Sequence, residues 1–107
     1  MRKAEVYRNG VLAGILTEEN RNSYRFVYEE AYFMDTQLPA ISLTLPKVKR
    51  EFHSPILFPF FFNMLSEGVN RKLQSLQLKM DEEDHFGLLL ETAQFDTIGA
   101  VSVKPID

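Results

Sequence analysis

Asn9-Gly10 stands between Ala4-Glu5-Val6-Tyr7-Arg8, which alternates apolar and polar side chains, and the run Val11-Leu12-Ala13-Gly14-Ile15-Leu16. An Asn-Gly pair in that setting closes a two-residue hairpin, because both residues tolerate the positive φ that the turn demands. The start of the chain is thereby committed to an antiparallel ribbon. Asn20-Arg21-Asn22 supplies a second turn, and Tyr24-Arg25-Phe26-Val27-Tyr28 alternates again. Tyr24, Phe26 and Tyr28 share one face, which marks a strand with that face buried. A three-strand meander over the first thirty residues follows.

After the meander, Glu29-Glu30-Ala31-Tyr32-Phe33-Met34 reads as a short helical turn ending near Asp35. Ile41-Ser42-Leu43-Thr44-Leu45 alternates and is stopped by Pro46, so a short strand or extended segment is expected, with Ile41, Leu43 and Leu45 inward. Lys47-Val48-Lys49-Arg50 reads as a solvated basic loop. Beyond Ser54-Pro55 the period turns helical. Phe58, Phe61, Phe62 and Leu65 fall on one face, Pro59 suits a first turn, and Gly68 suits the position after a helix end. A second helix is expected over Asn70–Lys79, with Leu73, Leu76 and Met80 on one side. A third starts near Asp81, with Asp84 adding acid at its positive end and Phe86, Leu89, Leu90 and Ala93 inward. The segment Ile98–Val103 reads as a last strand, ended by Pro105. Strands first, helices next and one strand last define an α+β domain. Its small sheet is mostly antiparallel, an N-terminal meander plus a C-terminal strand, packed with about three short helices. Residues 1–107 are expected to form this one domain.

The phenylalanine-rich helix is apolar on more than one side: Leu57, Phe60 and Met64 gather nearly opposite Phe58, Phe61, Phe62 and Leu65. Burying three such side chains is worth about 5–9 kcal/mol gross, comparable with the ~5–15 kcal/mol net stability of a whole domain. A second covering surface is therefore required. Either the other helices supply it, or the helix end and its turn, Met64-Leu65-Ser66-Glu67-Gly68-Val69, project onto a partner. Phe61 and Phe62 are core in both cases.

Chemistry is sparse. No phosphate loop, dinucleotide-binding glycine pattern or kinase catalytic motif occurs. The chain has no cysteine and two histidines, His53 and His85, whose separation does not suit a metal site. Asp81-Glu82-Glu83-Asp84 lacks calcium-loop spacing and reads as helix-start charge. Ser66-Glu67 has no accompanying histidine base. We expect no catalysis, no cofactor and no metal. A net charge of −3 does not favour nucleic acid as the main ligand. No apolar run approaches the ~20 residues of a membrane span, and nothing at the N-terminus resembles a signal peptide. A cytoplasmic location is the expectation.

Taken in order, several segments resemble one family. They are A-E-V-Y-R-N-G-V-L-A-G-I-L-T from Ala4, Phe26-Val27-Tyr28, and Ile41-Ser42-Leu43-Thr44-Leu45-Pro46. Phe60-Phe61-Phe62-Asn63-Met64-Leu65-Ser66-Glu67-Gly68, Asp84-His85-Phe86-Gly87-Leu88-Leu89 and Asp96-Thr97-Ile98-Gly99-Ala100-Val101 complete the set. Their succession, from about Lys3 to Pro105, is similar to the N-terminal subdomain of HipA-type serine/threonine kinase toxins. There S-L-S-L-P, F-F-x-x-L-L-P-E-G and D-x-x-G-A-V segments recur in the same order. Thr44 replaces the second serine here and Ser66 the proline. In that family the residues that bind ATP and transfer phosphate lie beyond this subdomain.

A stand-alone version resembles the HipS-like small subunits of three-gene HipBST toxin–antitoxin systems. The resemblance implies a separate HipT-like kinase as partner, to be bound and neutralised, with room for a HipB-like helix-turn-helix protein as a third component. It implies docking beside the kinase N-lobe, with the turn Ser66-Glu67-Gly68-Val69 near the nucleotide site and Phe60, Met64 and Leu65 as apolar anchor. Val69 is a small plug where relatives carry a bulky residue. Two other readings stay open. One is a subdomain whose continuation is the kinase itself. The other is a DNA-binding accessory using Lys47, Lys49 and Arg50 with Arg71 and Lys72.

Overall fold

The computed structural model describes residues 1–65, 76, 84–92 and 101–106. β1 (Arg2–Arg8) and β2 (Val11–Asn20) form the expected hairpin. Asn9 and Gly10 both adopt positive φ, 50° and 78°, which is the backbone geometry that a tight right-twisting hairpin turn needs. β3 (Ser23–Tyr28) pairs antiparallel with β2, across a turn in which the Asn22 N–H donates to Asn20 Oδ1 at 2.9 Å.

The β1–β2 register slips between Val6 and Tyr7, so that Val6 faces Gly14 while Tyr7 faces Leu12. Ala13 is the extra residue of this bulge. It turns inward beside Gly14, and both are buried. Gly14 admits no side chain: a Cβ there would lie 2.5 Å from the Val27 carbonyl oxygen and 2.7 Å from the Phe26 ring.

The sheet has five strands in the order β4-β3-β2-β1-β5, every pairing antiparallel. β4 is Glu51–Ser54, a strand absent from the sequence reading. It is short and carries Phe52 inward between exposed Glu51 and His53. β5 (Val101–Pro105) pairs with β1, and Pro105 is its last residue instead of lying beyond its end. Residues 98–100 of the expected last strand are outside the described residues.

α1 is Glu30–Met34, α2 is Pro59–Phe62 with Pro59 in its first turn, and α3 is His85–Thr92. Asp84 stands just before α3; its carbonyl accepts the Leu88 N–H at 3.0 Å and its side chain accepts the Gly87 N–H at 3.1 Å, as an N-cap does. The expected helix start at Asp81 lies outside the described residues. So does the helix over Asn70–Lys79, apart from Leu76, which is helical and exposed.

One face of the sheet holds the core. Ala4, Val6, Leu16, Phe26, Tyr28 and Val103 are buried there, and Phe61, Phe86 and Leu89 close over them from the helices. Phe26 is the hub of the ring packing, 4.9 Å from Tyr28 and 5.8 Å from Phe61 between centroids. Such tilted and edge-on ring pairs are favourable beyond the area they bury.

The segment between α1 and β4 differs from expectation. Residues 41–45 form turns, not a strand. Ile41 and Leu45 are buried as expected, but Leu43 is 99% exposed, the reverse of its expected place. The cause is a turn in which the Leu45 N–H donates to the Ser42 carbonyl at 3.1 Å. It carries Leu43 over the outside, where a flat strand would have aligned all three.

Candidate partner-binding site

Of the seven residues expected to meet a partner, three are described. Phe60 and Met64 are half-buried, packed against the core edge. Leu65 is 5% exposed and belongs to the core itself. Ser66, Glu67, Gly68 and Val69 lie outside the described residues.

The apolar belt around α2 is divided between the interior and one cleft. Leu57, Phe58 and Phe61 are buried, so both sides of this segment are used within the chain. Phe62, expected as core, is only partly buried. Its ring meets that of His85 edge-on at 4.9 Å and lines a cleft of about 440 Å³. Tyr24, Ile56 and Pro59 give that cleft an apolar wall, and Glu18 and Asp84 give it a polar one.

The polar wall is a network that the sequence reading missed. Arg2 grips Asp84 with two parallel bonds, Nη2 to Oδ1 at 2.7 Å and Nη1 to Oδ2 at 3.1 Å. Its Nε donates to Glu18 Oε1 at 2.8 Å, and the Tyr24 hydroxyl donates to Glu18 Oε2 at 3.2 Å. The guanidinium carbon also sits 5.3 Å from the centre of the Phe86 ring, within cation–π range. Hydrogen bonding from Arg2 holds the Asp84 carboxyl below its ordinary pKa, helped by the Gly87 N–H and opposed by burial. Burial, then the Glu18 charge, pushes the Tyr24 phenol up. Every carboxylate oxygen of Glu18 and Asp84 thus has a donor from this chain. A fully satisfied network of this kind fixes the geometry of the cleft wall.

The basic run is likewise engaged. Lys47 Nζ donates to the carbonyls of Asp35 and Leu38, each at 2.7 Å, and lies 5.1 Å from the Tyr32 ring centre. Lys49 Nζ lies 4.9 Å from the Phe52 ring, and Arg50 Nε donates to the Tyr28 carbonyl at 2.8 Å. These contacts hold the loop against the core. Arg71 and Lys72 lie outside the described residues. His53 is exposed and paired with Glu51 at 2.5 Å. Among the described residues no group of three His, Asp or Glu side chains is placed to share a metal ion. Among them, too, no helix is long and apolar enough to cross a membrane.

A five-stranded antiparallel sheet with short helices closed over one face defines a small α+β domain. The family profile described as HipA N-terminal domain matches residues 4–104, and the chain belongs to that family. It is 32% identical over 104 residues to an uncharacterized protein of Haemophilus influenzae, covering 97% of this chain and 92% of that one. It is 28% identical over 107 residues to the putative kinase Y4mE of Sinorhizobium fredii, where it spans 25% of the relative's length. Its fold is similar to a solved N-terminal domain of HipA toxin, with a TM-score of 0.73 and 27% identity, covering 100% of this chain and 94% of that one.

Proposed function

We propose that this chain is a non-catalytic, antitoxin-like subunit of the HipS type, which binds and neutralises a separate HipA-type serine/threonine kinase. The observation that carries the reading is membership of the HipA N-terminal domain family along residues 4–104. In this reading phosphate transfer belongs to another polypeptide, and the chain acts in the cytoplasm by occupying the kinase N-lobe. Phe60 and Met64, half-buried on the shoulder of α2, supply the apolar contact. The turn Ser66-Glu67-Gly68-Val69 reaches toward the nucleotide site, and a HipB-like DNA-binding protein completes a ternary complex.

The experiment is coexpression with the HipA-type kinase encoded beside this chain. The expected outcome is a stable complex and restored growth of cells carrying the kinase. Absence of a complex at micromolar concentrations would overturn the reading.

One observation favours a second reading. Y4mE carries the matching region as a quarter of its length, so this chain could serve as the built-in N-terminal subdomain of a longer kinase. The codon that follows Asp107 separates the two: a stop favours the free subunit, continued coding the fused one.

A further inference from the structure

Ile56 lines the cleft beside α2 and stays 62% exposed there. Together with Tyr24, Pro59 and Phe62 it makes an apolar wall assembled from β3, the β4–α2 connection and α2. Two of those four side chains are aromatic and a third is a proline ring. The cleft holds about 440 Å³, within the roughly 300–1,000 Å³ of clefts that take small ligands.

The polar wall decides which charge such a ligand carries. Glu18 and Asp84 have every carboxylate oxygen bonded to a donor of this chain, and Arg2 commits Nε and both Nη atoms to them. That triad is closed on itself. Arg21 is different. It lines the same cleft from the β2–β3 turn, whose backbone is fixed by the bond between the Asn22 N–H and Asn20 Oδ1. Among the described residues its guanidinium has neither a hydrogen bond nor an ion pair. Its charge still reaches across the cleft: after the Arg2 hydrogen bonds, it is among the influences that hold the Asp84 carboxyl low. Asn63, which ends α2, also lines the cleft, and its side-chain amide has no partner among the described residues.

An uncommitted cation and an uncommitted amide beside two rings are the few polar handles and the apolar wall of a small-ligand site. A guanidinium fits a carboxylate through two parallel N–H bonds. Aromatic side chains add offset or edge-on contacts that a saturated ligand cannot return. We propose that this cleft binds a small aromatic carboxylate, its ring against Tyr24, Ile56, Pro59 and Phe62 and its carboxylate on Arg21, with the Asn63 amide as a second donor. Such binding needs no kinase, so the site stands or falls separately from the partnership proposed above.

The test titrates naphthaleneacetate into residues 1–107 and follows backbone amide shifts by NMR. Saturable shifts at Arg21, Ile56, Asn63 and His85 are expected at submillimolar concentration. The neutral naphthaleneacetamide and the saturated cyclohexaneacetate should each bind at least fivefold more weakly. Arg21→Gln should weaken the acid at least fivefold and leave the amide as it was, a split that a merely structural role would not produce. Arg21→Lys, which keeps the charge without the fork, should fall between wild type and Arg21→Gln. Both Arg21 and Ile56 are exposed, so these variants and Ile56→Asp should keep the wild-type melt, and Ile56→Asp should weaken both ring compounds. No saturable shift with the wild type at millimolar acid, or shifts centred away from the cleft, overturns the site. Equal binding of acid and amide, or an acid affinity that Arg21→Gln leaves unchanged, overturns the charge assignment, and cyclohexaneacetate binding as tightly overturns the aromatic one.

Discussion

At the scale of single residues, Tyr28 does the most. Its ring stacks on Tyr32 at 6.0 Å and 9°, meets Phe26 edge-on, and is fully buried. Its hydroxyl serves Ile41 and Leu45 together. Replacing it with phenylalanine keeps the packing and strands a buried N–H and a buried carbonyl. The expected cost is about 1–3 kcal/mol, read as a lower urea midpoint with an unchanged slope; a variant as stable as wild type would show that the two loop groups find other partners. The Tyr24, Phe26 and Tyr28 face was legible in the sequence because alternation of period two needs no tertiary knowledge. The hydroxyl's partners were not, since they come from a loop with no period at all. Leu43 shows the same limit: apolar alternation through Leu45 suits a strand and a turn equally until the Ser42–Leu45 bond decides.

At the scale of elements, the hairpin, its turn and β3 were readable, and β4 was not. Glu51-Phe52-His53-Ser54 is four residues long with one buried side chain, too little for a periodic signal, and only pairing with β3 makes it a strand. The Arg2–Glu18 contact was hidden by the bulge. An unbroken register from Asn9-Gly10 would set Arg2 opposite Thr17; the extra Ala13 sets it opposite Glu18. Asp84, by contrast, carries a recognisable cap position before an apolar periodic run.

For α2 and the turn after it, burial sorts the aromatic cluster into separate effects. Phe61→Ala should cost about 3–5 kcal/mol, because the ring is fully enclosed among Phe26, Phe58 and Phe60. Leu65→Asp places a charge in the core and should abolish the cooperative melt. A folded Leu65→Asp protein with impaired kinase binding would return that residue to the partner surface.

At the scale of the whole molecule, Arg2 joins the first strand to the residue that caps the third helix, across 82 positions of sequence. The pH dependence of stability should report this clasp. The folded Asp84 carboxyl titrates below its usual value, because the Arg2 hydrogen bonds favour the charged form. The unfolded chain therefore takes up a proton more readily than the folded one as pH falls. The clasp's stabilisation is complete above the ordinary carboxylate pKa of about 4, and drains away as pH drops through the folded value. Urea midpoints of wild type and Asp84→Asn should differ most near neutrality and converge under acid. Curves that stay parallel would show that the pair contributes nothing through ionisation.

The strand order has a kinetic consequence. β1, β2 and β3 zip through neighbouring turns, but the far edge of β1 is closed by residues 101–105. Until these residues emerge during synthesis, β1 shows a row of unmatched amides and carbonyls to any passing strand. Joining segments so distant along the chain is also slow compared with hairpin closure. The nascent protein thus spends its most vulnerable interval with its first strand half-clothed, and that interval ends only once residues 101–105 have been made.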